Sequence, residues 1–95
     1  MHAAALEIDL HLPACRSLKD KRAVIRPIVD GAWRRYRVAA AEVGAQERWQ
    51  RSLLAFAAVA GTAGHVEEVL DSVERFVWSF PEVEVVGAER MWLDR

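Results

Sequence analysis

Ser52-Leu53-Leu54-Ala55-Phe56-Ala57-Ala58-Val59-Ala60 is apolar at every position after its first. Leu54, Phe56 and Ala58 alternate with Leu53, Ala55, Ala57 and Val59, so a strand here presents apolar side chains to both faces of its sheet. A strand half open to water alternates apolar with polar, so this run belongs in the centre of a sheet, with its second face also calling for cover.

Working upstream, Arg37 to Val43 reads as a strand, and the polar segment Gly44 to Gln50 joins it to Ser52–Ala60 as an antiparallel hairpin with a wide loop. Before it, Leu18, Ile25, Ile28, Val29, Ala32 and Trp33 recur at helical spacing, predicting a helix from about Leu18 to Arg35. Ser17 offers the cap, with Asp20 three residues on as a capping-box variant. Pro27 inside this helix predicts a kink or a shifted register, and Gly31 weakens it further. At the start of the chain Ala4, Leu6, Ile8, Leu10 and Leu12 alternate with Ala5, Glu7, Asp9 and His11, a half-buried strand ended by Pro13.

Downstream, Gly61 to Gly64 breaks the central strand and Thr62 or a neighbour caps a second helix. Val66, Val69, Leu70, Val73, Phe76, Val77 and Phe80 form one apolar stripe on it, Pro81 ends it, and a last strand runs from about Val83 to Trp92. The order βαββαβ, closed with right-handed crossovers, is an α+β ferredoxin-like sandwich: a four-stranded antiparallel sheet with two helices on one face. The other face is left bare, and its apolar residues point to a homodimer formed through the sheet or its edge.

Residues 1–95 are read as a single domain, since 95 residues with 53% hydrophobic and 28% charged side chains can build one core and no Gly/Ser/Pro-rich linker interrupts them. No apolar run approaches the roughly 18 residues that span a membrane, and Glu7 and Asp9 do not suit a signal-peptide core. The single Cys15 fits a reducing compartment, so the expectation is a cytoplasmic protein.

The net charge of −1 hides a strong asymmetry. Ten Arg and Lys lie between Arg16 and Arg51 against Asp20, Asp30, Glu42 and Glu47, whereas the stretch from Ser52 onward carries a surplus of five acids. Codon bias explains the number of arginines but not their clustering, and the polarity points toward an anionic partner. Arg16, Lys19, Lys21 and Arg22 crowd the first turn of the first helix, where the dipole is already positive; with Ser17 and free backbone N–H groups they suit a phosphate. Solvated side chains paired with acidic neighbours are the plainer reading of the same residues.

Lys19, Arg22, Arg26 and Trp33 fall in one sector of the helix, a basic edge with an indole that suits an RNA backbone; Trp33 is equally read as cover for the core. The loop residues Trp49, Gln50 and Arg51 add to this candidate surface, with Trp49 either a binding anchor or a plug at the end of the core. Trp78, on the polar side of the second helix, is the candidate exposed aromatic. Trp49 is accordingly expected to matter more to folding than Trp78.

No catalytic motif stands out. Arg16 beside Cys15 would lower the thiol pKa, but a nucleophile needs a base and His11 faces away. His2, His11, His65 and Cys15 lack the paired spacing of zinc ligands, so neither a metal nor another cofactor is expected. Two functions known on this architecture fit poorly. Acylphosphatases use an Asn to position water and this chain has none; RNA-recognition motifs need aromatics on the outer sheet face, where Glu7, Asp9, His11 and small apolar residues stand here.

Three blocks in order, Ser17-Leu18-Lys19-Asp20-Lys21-Arg22, then Ala41-Glu42-Val43 with Gln46 and Trp49-Gln50-Arg51, then Phe80-Pro81-Glu82-Val83-Glu84-Val85, resemble the bacterial YlxP-like family of unknown function. The resemblance covers nearly the whole chain. It implies a ferredoxin-like fold and a setting, because genes of that family often lie near those for transcription termination, translation initiation and ribosome maturation factors. No reaction comes with it, and Cys15 and Pro27 stand outside the family pattern. The leading expectation is a small binding protein that contacts RNA or a ribosomal particle through Arg16, Ser17, Lys19, Lys21, Arg22, Arg26, Trp49, Gln50 and Arg51. A protein-interaction module acting through the sheet face and Trp78 is the alternative, and an enzyme on a phosphorylated small molecule the more distant one.

Overall fold

The computed structural model describes residues 1–94. Six elements follow one another: β1 (His2–His11), α1 (Leu18–Tyr36), β2 (Ala39–Gly44), β3 (Arg51–Ala60), α2 (Ala63–Trp78) and β4 (Glu84–Trp92). The strands form one sheet in the order β2-β3-β1-β4, every pair antiparallel, which is the ferredoxin-like arrangement. The apolar run of β3 is central, and it pairs with β1 along its whole length from His2 opposite Ala60 to His11 opposite Arg51.

Alternation then decides what is buried. Ala4, Leu6, Ile8 and Leu10 of β1, with Leu54, Phe56 and Ala58 of β3, turn to the helices and are buried. Against them α1 sets Ile25, Ile28 and Ala32, and α2 sets Val66, Leu70, Val73 and Val77. The helices meet at Gly31, where a Cβ would come within 2.6 Å of the Phe76 ring; the residue that costs α1 helix propensity is the one that lets this ring in. Phe76 also packs edge-on against Tyr36 and Phe80, with the Arg35 guanidinium over its face.

α1 runs from Leu18 to Tyr36 with Pro27 inside it on the exposed side, where the missing N–H leaves a carbonyl to water. One local expectation is corrected. Arg37 is not a strand residue: it closes α1 in the left-handed conformation (φ 56°), its N–H donating to the Trp33 carbonyl, and β2 begins only at Ala39.

On the far side of the sheet no helix packs. Ala3, Ala5, Glu7, Asp9 and His11 of β1 lie there beside Leu53, Ala55, Ala57 and Val59 of β3, and Val59 is 66% exposed. This outer face carries no aromatic platform on its two central strands, as the alternation indicated.

Candidate anion-binding surface

The N-terminus of α1 is capped from within. Ser17 takes an extended backbone and its Oγ accepts the Asp20 N–H at 3.0 Å, while the Asp20 carboxylate accepts the Arg16 N–H at 2.9 Å. This is a capping-box variant, closed on the N–H of the residue before the cap, and it changes the expectation drawn from the crowd of cations there. The Ser17 hydroxyl already serves the helix, and Asp20 supplies the negative charge that the dipole favours, so Ser17 is a cap rather than a phosphate ligand.

Lys21 is the second correction. It falls on the buried stripe with Ile25, Ile28 and Ala32 and is only 3% exposed. Its ammonium donates to the carbonyls of Ala45 (2.6 Å), Gln46 (3.4 Å) and Arg48 (2.7 Å) and lies 2.7 Å from Glu42 Oε2. The same carboxylate oxygen accepts the buried Ser52 hydroxyl at 2.6 Å. Lys21 thus holds the β2–β3 loop down onto α1 and is not available to an external anion, because its three donors and its charge are already spent inside.

Gln50 in the loop and Arg51 at the start of β3 are committed elsewhere in a similar way. Gln50 donates through its side chain to the carbonyls of Pro13 (3.3 Å) and Cys15 (3.1 Å), and its own carbonyl accepts the Leu12 N–H, which clasps the loop to the β1–α1 connection. Arg51 turns to the outer face of the sheet and grips Asp9 with Nη2, at 3.0 and 2.9 Å from the two carboxylate oxygens. Neither side chain faces the groove beside α1.

What remains of the predicted surface is Arg16, Lys19, Arg22 and Arg26, all exposed, with Trp49 exposed on the loop that Gln50 fastens beside the start of α1. Among the described residues none of these four cations closes on a carboxylate through its side chain. Arg34, which extends this charge toward the far end of α1, borders a shallow depression over Pro27 and Gly31 with Lys19, Arg22, Arg26 and Asp30. On its other flank α1 and the loop enclose a groove of about 390 Å³, with Ile25 and Val29 in its floor and Arg22, Arg26, Asp30 and Glu47 around it. Arg22, Arg26 and Asp30 border both, so a ridge of two cations and one carboxylate separates two concavities.

The tryptophans are placed by the fold. Trp33 is 55% exposed, not core cover, and stacks under the Arg37 guanidinium with 5.3 Å to its ring centroid. Trp49 is 53% exposed and so does not plug the core, which removes the ground for ranking it above Trp78 in folding; Trp78 is 62% exposed, as its helix position indicated. Trp92, half-buried, is the tryptophan that packs against the core.

Cys15 is buried, and burial pushes its thiol pKa up, with the Asp20 carboxylate adding to the rise and Lys21 opposing it. The expected depression by Arg16 is overturned: desolvation of the thiolate, with Asp20, outweighs the pull of Lys21. His11 sits on the outer sheet face, 2.5 Å from Glu84, and makes no pair with the thiol. The residues that sequence reasoning missed are Glu42 and Ser52. The signal available was the spacing of Lys21, which at four, seven and eleven residues before Ile25, Ile28 and Ala32 occupies a core-facing position that demands an internal counter-charge.

Comparison with known proteins gives the same whole-chain outline. The chain is 37% identical over 76 residues, 80% of its length and 83% of the relative's, to the uncharacterized protein YlxP of Bacillus subtilis (strain 168). A family model described as a protein of unknown function (DUF503) matches residues 3–90, and with both matches spanning most of the chain, the protein belongs to this YlxP-like DUF503 family.

Proposed function

We propose that this protein binds RNA, free or in a ribosomal particle, by charge through the exposed ridge of α1. The observation that carries the reading is the run Lys19, Arg22, Arg26 and Arg34 along one helix face, with Arg16 before it, unneutralised among the described residues while Trp33 stands exposed on the same helix. Cations left without internal partners offer the release of counterions when they meet phosphates, and an exposed indole supports this by stacking on an unpaired base. In this reading Ser17, Lys21 and Gln50 hold the start of α1 and the loop in place, Arg51 belongs to the outer face of the sheet, and none of the four contacts RNA.

The test is titration of a labelled RNA hairpin with a single-stranded tail at increasing salt. Affinity should fall with a log–log slope of roughly 0.7 to 0.9 per phosphate neutralised. The Lys19→Glu/Arg22→Glu variant should lose binding while keeping its fold, since both side chains are exposed. Absence of binding at low salt, or equal binding by the variant, would overturn the proposal.

A further inference from the structure

We propose that the outer face of the sheet is a docking surface for a basic, apolar polypeptide segment, of the kind presented by an amphipathic helix with Lys or Arg beside its apolar stripe. This is independent of the RNA reading, which uses the opposite side of the molecule.

The face has two parts. Ala5, Ala39, Ala41, Ala55 and Ala57 line a shallow apolar depression across β1, β2 and β3, flanked by Val59, 66% exposed, and by Met91 in register with Ala5. Small side chains leave a flat floor that a partner backbone can approach closely, and an open four-stranded sheet covered by helices on one side only has room for a further layer on the other. Toward the β4 side the character changes. Glu7 and Glu89 stand directly opposite one another in the β1–β4 register, on the same face, and neither has a cation partner among the described residues. Like charges placed opposite across strands are destabilising, so this pair is maintained against a local cost. Beside it Glu7, Asp9, Leu53, Gly87 and Glu89 border a second depression of about 350 Å³.

Charge selects the occupant. Glu7, Asp9, Glu84 and Glu89 share this side with Arg51, already bound to Asp9, and with His11, which lies against Glu84, so Glu7 and Glu89 are the carboxylates left for a partner. A second copy docked face to face would bring the same excess of carboxylates to both sides of the interface and, among the described residues, offer no free cation to meet them. RNA is repelled for the same reason. A segment whose apolar side chains cover the alanines and whose cations meet Glu7 and Glu89 satisfies both parts at once.

The probes are two 18-residue helical peptides with the same leucine stripe, one flanked by lysines and one by glutamates. The full-length protein should bind the lysine peptide, with protection from hydrogen exchange confined to β1, β3 and the facing strands, and should not bind the glutamate peptide. The Glu7→Gln/Glu89→Gln variant, which relieves repulsion and so keeps its fold, should bind the lysine peptide about tenfold more weakly or worse. Ala55→Glu on the apolar half provides a second variant and should also weaken binding. Equal affinity of the glutamate peptide, unchanged affinity in Glu7→Gln/Glu89→Gln, or protection mapping to Glu67, Glu68 and Asp71 of α2 would each overturn the proposal. So would a dimer in sedimentation without peptide whose protected surface is this face, which would make the occupant a second copy.

Discussion

Lys21 Nζ lies 2.7 Å from Glu42 Oε2, and this one contact joins the first turns of α1 to the edge strand β2 beneath the hairpin loop. With the carbonyls of Ala45, Gln46 and Arg48 also converging on the ammonium, the loop folds around a cation supplied by the helix. Removing the cation while keeping Glu42 leaves a carboxylate and three carbonyls without their partner. Lys21→Met should therefore cost about 3 to 5 kcal/mol in chemical denaturation, the range for breaking one side of a buried pair. Loop amides should exchange faster in the variant, and adding Glu42→Leu should restore part of the loss.

Gly31→Ala sets two effects against each other. Alanine gains about 1 kcal/mol of helix propensity, but its Cβ would lie 2.6 Å from Phe76 Cζ, and the ring is hemmed in by Tyr36 and Phe80. Overpacking costs typically about 1 to 3 kcal/mol, so the expected result is a net loss of stability. Gly61→Ala and Gly64→Ala, where nothing lies within 4 Å of the new methyl, are the controls and should show no such loss.

Trp33 and Trp49 are each more than half exposed, so replacing either by Ala should change stability far less than the several kcal/mol that a buried tryptophan costs. Their effect on RNA should differ from that of the cations. Trp33→Ala should weaken binding to a single-stranded tail by about 1 to 3 kcal/mol per stacked base and leave the salt slope unchanged, whereas Arg26→Ala should lower the slope. Quenching of tryptophan fluorescence by RNA that is lost in Trp33→Ala checks the stacking.

Cys15 predicts a pH dependence with a definite sign. Its thiol is held above the ordinary value of 9.0, chiefly by burial, so the folded state keeps its proton at pH values where the unfolded chain releases it. The resulting stabilisation is fully present below 9.0 and is lost as pH rises from there through the folded value. Denaturation midpoints measured across this window should fall more steeply for the native chain than for Cys15→Ala. Alkylation by iodoacetamide at pH 8 should be slow in the folded protein and fast in denaturant.

The order of elements, the central place of Ser52–Ala60 and the buried stripes of both helices were determined by the sequence, because each is a periodicity within one element and depends only on helical or strand geometry. The capping box of Ser17 and Asp20 was legible for the same reason, being closed within four residues. Tertiary structure alone decided where the polar side chains went. Lys21, Arg22 and Arg51 are all cations of one basic stretch, yet Lys21 ends inside on Glu42, Arg51 ends on Asp9 across the sheet, and Arg22 ends in solvent. The partners lie 21 and 42 residues away, and no local pattern encodes such a distance. The same holds for Trp33, Trp49 and Trp78, whose exposure depends on where the neighbouring elements stop. Periodicity sets the side of its own element on which a residue lies, while the element packed opposite decides whether that side chain becomes a strut, a clasp or a binding surface.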